Sequence, residues 1–313
     1  MPPLTIPIPT IVHHMAALDD HSSPPNSLEA IQTNLQAGTG FIEVDINALS
    51  QGDYLLVHEN ALEAETSGQG PVVACTPEKA RTLWIKRDGA STSCRVPLLS
   101  EVVSLFRSNP GPTRLQLDFK NLVPFSSDEP LLRLVRLIEP LGERVLVSTG
   151  ADWQLRKLRK MAPWLMLGFD IMLYIGWKPP NAHRSPDEFP RQMGAYGYYD
   201  DHILASRAFW PTAEYLRDRC ESLACQVPDI SVFYLEHHLI AQSLRDGFNW
   251  AEALHERNIK LDAWTMDVTN PAAVQNAPIL LQAGVDMFTS NTPTALKTLL
   301  RLKKPDISDP QGD

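Results

Sequence analysis

The 313-residue sequence predicts a single-domain (β/α)8 barrel. Three observations carry that expectation. Short runs rich in β-branched and aromatic residues alternate with longer segments of helical period, which points to parallel βα units rather than to a sandwich. Eight such units can be counted, the number that closes a barrel of this kind. The chain is also 43% hydrophobic and long enough to enclose one large core without dividing.

In chain order the strand candidates are residues 10–14, 41–47, 114–119, 144–148, 165–170, 229–235, 260–265 and 286–290. The helices between them have identifiable causes. Asn26 and Glu29 suit a capping box ahead of a helix over 27–37, and Gly38 supplies its left-handed stop. Pro97 opens a helix over the following apolar stretch, 271–283 forms another that ends at Gly284, and Pro293 starts the last. The barrel is expected over residues 1–305, and residues 306–313, rich in Pro, Gly and Asp, are expected to form a disordered tail. Two insertions interrupt the alternation. After the second strand, 51–95 is too long for a simple connection and is expected to hold a short strand near 54–58, a loop and a small helix. After the fifth strand, 171–211 combines prolines with aromatics such as Tyr196 and Trp210, a density that suggests a lid or substrate wall.

Composition excludes several classes. A formal charge of −9 argues against a broad nucleic-acid surface, because neutralising phosphates requires clustered Lys and Arg. No apolar run approaches the roughly 20 residues of a membrane span, and the N-terminus lacks the basic and long apolar regions of a signal peptide, so a cytoplasmic location is expected. A membrane-active lipase is disfavoured, since no amphipathic basic helix stands out. Cys75, Cys94, Cys220 and Cys225 show no CxxC spacing and read as ordinary thiols rather than a zinc site. Oligomeric state is left open.

Side chains at the carboxyl ends of barrel strands share one mouth even when far apart in sequence. His13 and His14 end the first strand, Glu43 and Asp45 the second, His58 lies on the next extended segment, and Asp118 and Lys120 end the third. Glu43 and Asp45 are two apart and therefore share a strand face. With Asp118 they form an all-oxygen set suited to a hard divalent ion, Mg²⁺ or Ca²⁺. Phosphodiester cleavage needs a proton accepted, a proton donated and positive charge on the non-bridging oxygens. Two histidines, a metal and Lys120 meet those needs.

The order His13-His14, Asn26-Ser27, Glu43-Val44-Asp45, His58-Glu59 and Asp118-Phe119-Lys120 resembles the glycerophosphodiester phosphodiesterase family pattern of His-Arg, Glu-Asn-Thr, Glu-x-Asp, His-Asp and Glu-x-Lys. Later segments agree: Thr66-Ser-Gly-Gln-Gly-Pro-Val, the Pro97 helix start, Trp264-Thr265 and Ser290-Asn-Thr-Pro. The resemblance covers roughly residues 10 to 300 and implies a barrel hydrolysing a small phosphodiester. It assigns His13 and His58 to acid/base catalysis, Glu43, Asp45 and Asp118 to the metal, His14 and Lys120 to the phosphate, and Trp264 to the substrate. His14 stands where the family has Arg, Pro25 where it has Glu, and Asp118 where it has the longer Glu. His13-His14-Met15 and Asp118-x-Lys120 also resemble the sphingomyelinase D-like group, which forms a cyclic phosphate. A synthase or transferase acting on sugar phosphodiesters, and a non-catalytic barrel binding a phosphorylated ligand, are the competing expectations.

Overall fold

Parallel pairing runs unbroken around eight strands and returns to its start. In the computed structural model, which describes residues 9–179 and 192–302, these are β1 (Thr10–His13), β2 (Phe41–Ala48), β3 (Arg114–Phe119), β4 (Val145–Thr149), β5 (Met166–Asp170), β6 (Val232–Glu236), β7 (Lys260–Trp264) and β8 (Met287–Ser290). Each pairs in parallel with its neighbour, and β1 joins both β8 (His13 beside Ser290) and β2 (Val12 beside Phe41), which closes the (β/α)8 barrel. All eight predicted strands are found, with boundaries displaced by at most a few residues.

Both faces of these strands are buried, as parallel barrels require. Ile42, Val44 and Ile46 of β2 and Leu115, Leu117 and Phe119 of β3 pack outward against the helices. The inward set is mixed. Val12, Phe41, Leu146, Val232 and Met287 contribute to an apolar cluster inside the barrel, whereas Glu43, Asp45, Gln116, Ser148 and Asp262 are buried polar residues of the barrel strands. Gly168 on β5 makes this packing possible, because a Cβ there would stand 2.4 Å from Cε2 of Tyr234.

Local expectations fared unevenly. Gly38 and Gly284 adopt the positive φ required of helix stops. The cap of the first helix (Leu28–Gln36) is a correction: Ser27, not Asn26, accepts from the Ala30 N–H. Asn26 sits one position earlier in the left-handed region (φ 55°), and its side chain is used elsewhere. Residues 51–95 contain the expected short strand, Tyr54–Leu55, set antiparallel on β2. They also contain a hairpin the sequence reading missed, Trp84–Arg87 with Ala90–Arg95, turning through Asp88-Gly89 with both residues at positive φ.

In the insertion after β5, Tyr196 stacks on Tyr215 at 3.8 Å and the Tyr198 hydroxyl donates to Asp246 at 2.6 Å. Asp200 is buried and accepts from the Arg219 guanidinium at 2.7 Å. These contacts fasten the segment to helices Thr212–Gln226 and His237–Arg245. The tail expected over 306–313 lies outside the described residues. No helix among the described residues is long and apolar enough to cross a membrane.

Candidate active site

At the carboxyl ends of the strands a cavity of about 210 Å³ is lined by His14, Glu43, His58, Asp118, Lys120, Trp264 and others. Seven of the eight residues singled out from sequence thus gather here, six of them lining the cavity and Asp45 buried within the same cluster.

The eighth is His13, and this is a correction. Val12 belongs to the apolar cluster inside the barrel, so alternation along β1 turns His13 outward. Its ring lies near Asn34, Asp19 and Lys297 on the helical side, and burial lowers its pKa. His14 instead enters the mouth, in a turn where Met15 and Ala16 take positive φ. Its Nε2 lies 3.8 Å from Glu43 Oε2.

Three carboxylates converge. Single oxygens of Glu43, Asp45 and Asp118 lie within 4.8 Å of one another, as the pairing of Asp45 beside Asp118 across β2 and β3 dictates. Each acid is held by a further group. The Met15 N–H donates to Glu43 Oε2 at 2.7 Å, and the Asn26 side-chain amide donates to Asp45 Oδ2 at 2.9 Å. The Ser148 hydroxyl, itself accepting from Gln116, donates to Asp118 Oδ1 at 3.1 Å. Lys120 lies between two of them, its Nζ 3.0 Å from Asp45 Oδ1 and 2.5 Å from Asp118 Oδ2.

The electrostatics follow from that geometry. Burial together with Asp45 and Asp118 pushes Glu43 well above the usual carboxylate range. Burial also acts to raise Asp45, but Lys120, His14 and His58 outweigh it and hold the group below its ordinary value. Lys120 is raised because Asp118, Asp45 and Glu43 overcome its own desolvation. Glu43 Oε1 is buried without a hydrogen-bond partner among the described residues. An orphaned oxygen beside two further carboxylates fits a hard divalent cation, which takes oxygen donors.

The two histidines in the mouth are oriented from behind. His14 Nδ1 lies 2.8 Å from Asn291 Oδ1, and Asn291 is fixed by Asp267, which accepts from its amide side chain at 2.9 Å and its backbone N–H at 2.7 Å. Because the amide nitrogen is committed to Asp267, Asn291 presents oxygen to His14, so Nδ1 donates to it and Nε2 is the ring nitrogen left to face the mouth. His58 Nδ1 meets Glu59 Oε1 at 3.0 Å, and Glu65 accepts from the backbone N–H groups of both residues.

Sequence reasoning missed Asn291, Asn26, Gln116, Ser148, Asp170 and Tyr234 as members or supports of the site. For Gln116 and Asp170 a signal existed: strand parity places them with Asp118 and with the interior of β5. Asn26 and Asn291 lay within the segments Asn26-Ser27 and Ser290-Asn-Thr-Pro that carry the family resemblance, but both reach the site from loops, so spacing did not give their roles. Trp264 lines the cavity as expected, with Nε1 buried and unpartnered among the described residues, as is the Tyr234 hydroxyl. The wall expected from 171–211 contributes only Met172 to the cavity among the described residues.

Comparison with known proteins adds an independent line. Residues 19–171 match the sequence model of the glycerophosphoryl diester phosphodiesterase family. That span includes Glu43, Asp45, His58, Asp118 and Lys120 and begins after both histidines of the first βα unit. A glycerophosphodiester phosphodiesterase from Caldanaerobacter subterraneus subsp. tengcongensis is 26% identical over 152 residues, covering 48% of this chain and 62% of that protein. A probable glycerophosphodiester phosphodiesterase 1 from Mycobacterium tuberculosis is 25% identical over 179 residues, covering 51% of this chain and 64% of its own length. The matches therefore span less than two thirds of these relatives. Among solved structures, a putative glycerophosphodiester phosphodiesterase from Galdieria sulphuraria superposes with a TM-score of 0.66 at 17% identity, covering 94% of this chain and 98% of that one. An Oleispira antarctica phosphodiesterase in complex with the product sn-glycerol-3-phosphate gives 0.60 at 15%, covering 94% and 97%. At these identities the structural likeness establishes the shared fold.

Proposed function

We propose that the chain is a member of the glycerophosphoryl diester phosphodiesterase family, as the match over residues 19–171 and the relatives at 25–26% identity support, and that it hydrolyses a small glycerophosphodiester with His14 and His58 as its acid/base pair. The observation that carries the reading is the convergence of these two rings on a cavity that also holds Glu43, Asp118 and Lys120. Water adds across one P–O ester bond, giving a phosphomonoester and an alcohol. His14 Nε2, the ring nitrogen not engaged by Asn291, accepts the proton of the attacking oxygen. His58, 44% exposed and held by Glu59, gives a proton to the departing alkoxide and is recharged from solvent.

Glu43, Asp45 and Asp118 would hold a divalent cation, Mg²⁺ or Ca²⁺, which supplies positive charge to the non-bridging phosphoryl oxygens when bound. Lys120 adds a second positive charge beside it, fixed by two carboxylates before substrate arrives. Trp264 Nε1 and the Tyr234 hydroxyl offer donors to the alcohol portion of the substrate.

The test is phosphorus NMR of glycerophosphocholine incubated with the wild type and with Mg²⁺, Ca²⁺ or chelator. Phosphomonoester forming only with a cation is expected. A cyclic phosphate as the end product would overturn hydrolysis in favour of the cyclising reaction, and turnover in His14→Ala would overturn the histidine assignment.

A further inference from the structure

Large apolar side chains left in water as a group mark an interaction surface, whereas scattered ones need no explanation. Of ten such side chains among the described residues, most lie in two loops that follow barrel strands. Leu122 and Val123 are 39% and 79% exposed in the loop after β3. Met172, Ile203, Phe209 and Trp210 are 40%, 76%, 59% and 41% exposed in the segment after β5. Loops that follow barrel strands gather on the face where the strands' carboxyl ends open. All six therefore stand on the face through which a ligand enters the cavity.

Met172 joins the two features, since it is exposed to solvent and also lines the cavity. The cavity, at about 210 Å³, is smaller than the roughly 300–1,000 Å³ of sites that enclose a drug-sized molecule. It takes a polar headgroup and leaves an acyl chain outside.

We propose that this rim docks on a zwitterionic phospholipid layer and that the cavity takes the phosphodiester headgroup of a lipid whose acyl chain stays in that layer. The substrate half of this statement rests on the hydrolytic reading above, and the docking half does not. Charge selects the kind of layer. A chain of net charge −9 is repelled by an anionic surface, so attachment has to come from apolar insertion. Exposed Phe and Trp side chains suit that insertion, and the Arg207 guanidinium, 5.8 Å from the Phe209 ring, would meet lipid phosphates as that ring inserts. The absence of an amphipathic basic helix does not bear on this mode, because loops rather than a helix carry the apolar groups.

The experiment is sedimentation of the full chain with phosphatidylcholine vesicles, alone and doped with lysophosphatidylcholine, alongside hydrolysis of water-soluble glycerophosphocholine. Wild type is expected to sediment with phosphatidylcholine, and the double variant Phe209→Ser/Trp210→Ser to bind about tenfold more weakly, on the scale of two exposed aromatics losing an apolar contact. Hydrolysis of the vesicle-borne lipid should fall with binding while that of glycerophosphocholine stays at the wild-type rate. Val123→Ser, on a separate loop, gives the same readout in smaller measure if the double variant fails to fold. No sedimentation of wild type, equal sedimentation of wild type and variant, or preference for phosphatidylserine vesicles overturns the proposal. So does a dimer that dissociates on the same substitutions in a protein that ignores vesicles. Vesicle binding with hydrolysis of neither substrate supports the docking surface and sinks the hydrolytic reading instead.

Discussion

Two buried aspartates on opposite sides of the barrel, Asp45 and Asp170, behave in opposite ways. On the side of β1 to β3, Asp45 is fully buried yet held below its ordinary pKa, because Lys120 stands 3.0 Å away. On the side of β5 to β7, burial pushes Asp170 up to about 7, helped by Asp118, and burial likewise raises Asp262 to about 7. No ion pair to either appears among the described residues. Burial alone therefore does not decide whether a carboxyl in this barrel is charged; a cation within hydrogen-bond reach does. Asp45 is charged beside Lys120, whereas Asp170 and Asp262, like Glu43, are buried carboxyls that are easily neutralised.

The sharpest way to break this contrast is to exchange an acid for its amide on each side. Asp45→Asn removes both a proposed cation ligand and an anchor of Lys120, and turnover should fall at least about a thousandfold, the scale for losing a group aimed at developing charge. Asp170→Asn should retain activity to within about tenfold. Steady-state kinetics on both variants decides the matter, and equal losses would erase the distinction. Within the mouth, His14→Ala should lower kcat by about a hundredfold to ten-thousandfold, the range for removing a proton-transfer group. His13→Ala should change it by no more than about twofold. Asn291→Ala, which leaves the His14 ring without its orienting partner, should cost about ten- to a hundredfold in kcat with little change in KM.

The easily neutralised carboxyls are better tested through stability. Asp262 has a folded pKa of about 7 against 3.8 in an ordinary setting. A carboxyl raised on folding contributes most below the lower value, and its contribution is lost as pH climbs through the window to about 7, at up to about 1.4 kcal/mol per pH unit. Asp262→Asn should therefore gain thermal stability relative to wild type on going from pH 5 to pH 8. A Tm difference independent of pH would show that Asp262 ionises as freely as Asp45. Gly168→Ala, which drives a methyl toward Tyr234 on this same side, should cost about 1–3 kcal/mol in a denaturant titration.

Much of this site could be read along the chain because its parts obey strand parity. Glu43 with Asp45, and Gln116 with Asp118 and Lys120, are spaced by two, and any strand places such residues on one face. The cap at Asn26 was misjudged for the opposite reason. Asn and Ser compete for the same cap, and only the buried Asp45 carboxylate, brought close by β2, draws Asn26 away from it. The hairpin at 84–95 carried the signal Asp88-Gly89, overlooked within a polar stretch.

The sequence by itself determined the eight βα units, the carboxylate set and Lys120, since alternation, spacing and turn residues are local properties. Tertiary structure decided which of two adjacent histidines serves the mouth. Both faces of a barrel strand are buried, so polarity does not distinguish inside from outside at His13 and His14. That choice waits on the turn at Met15 and Ala16, and on Asn291 arriving from the far end of the chain to hold the ring.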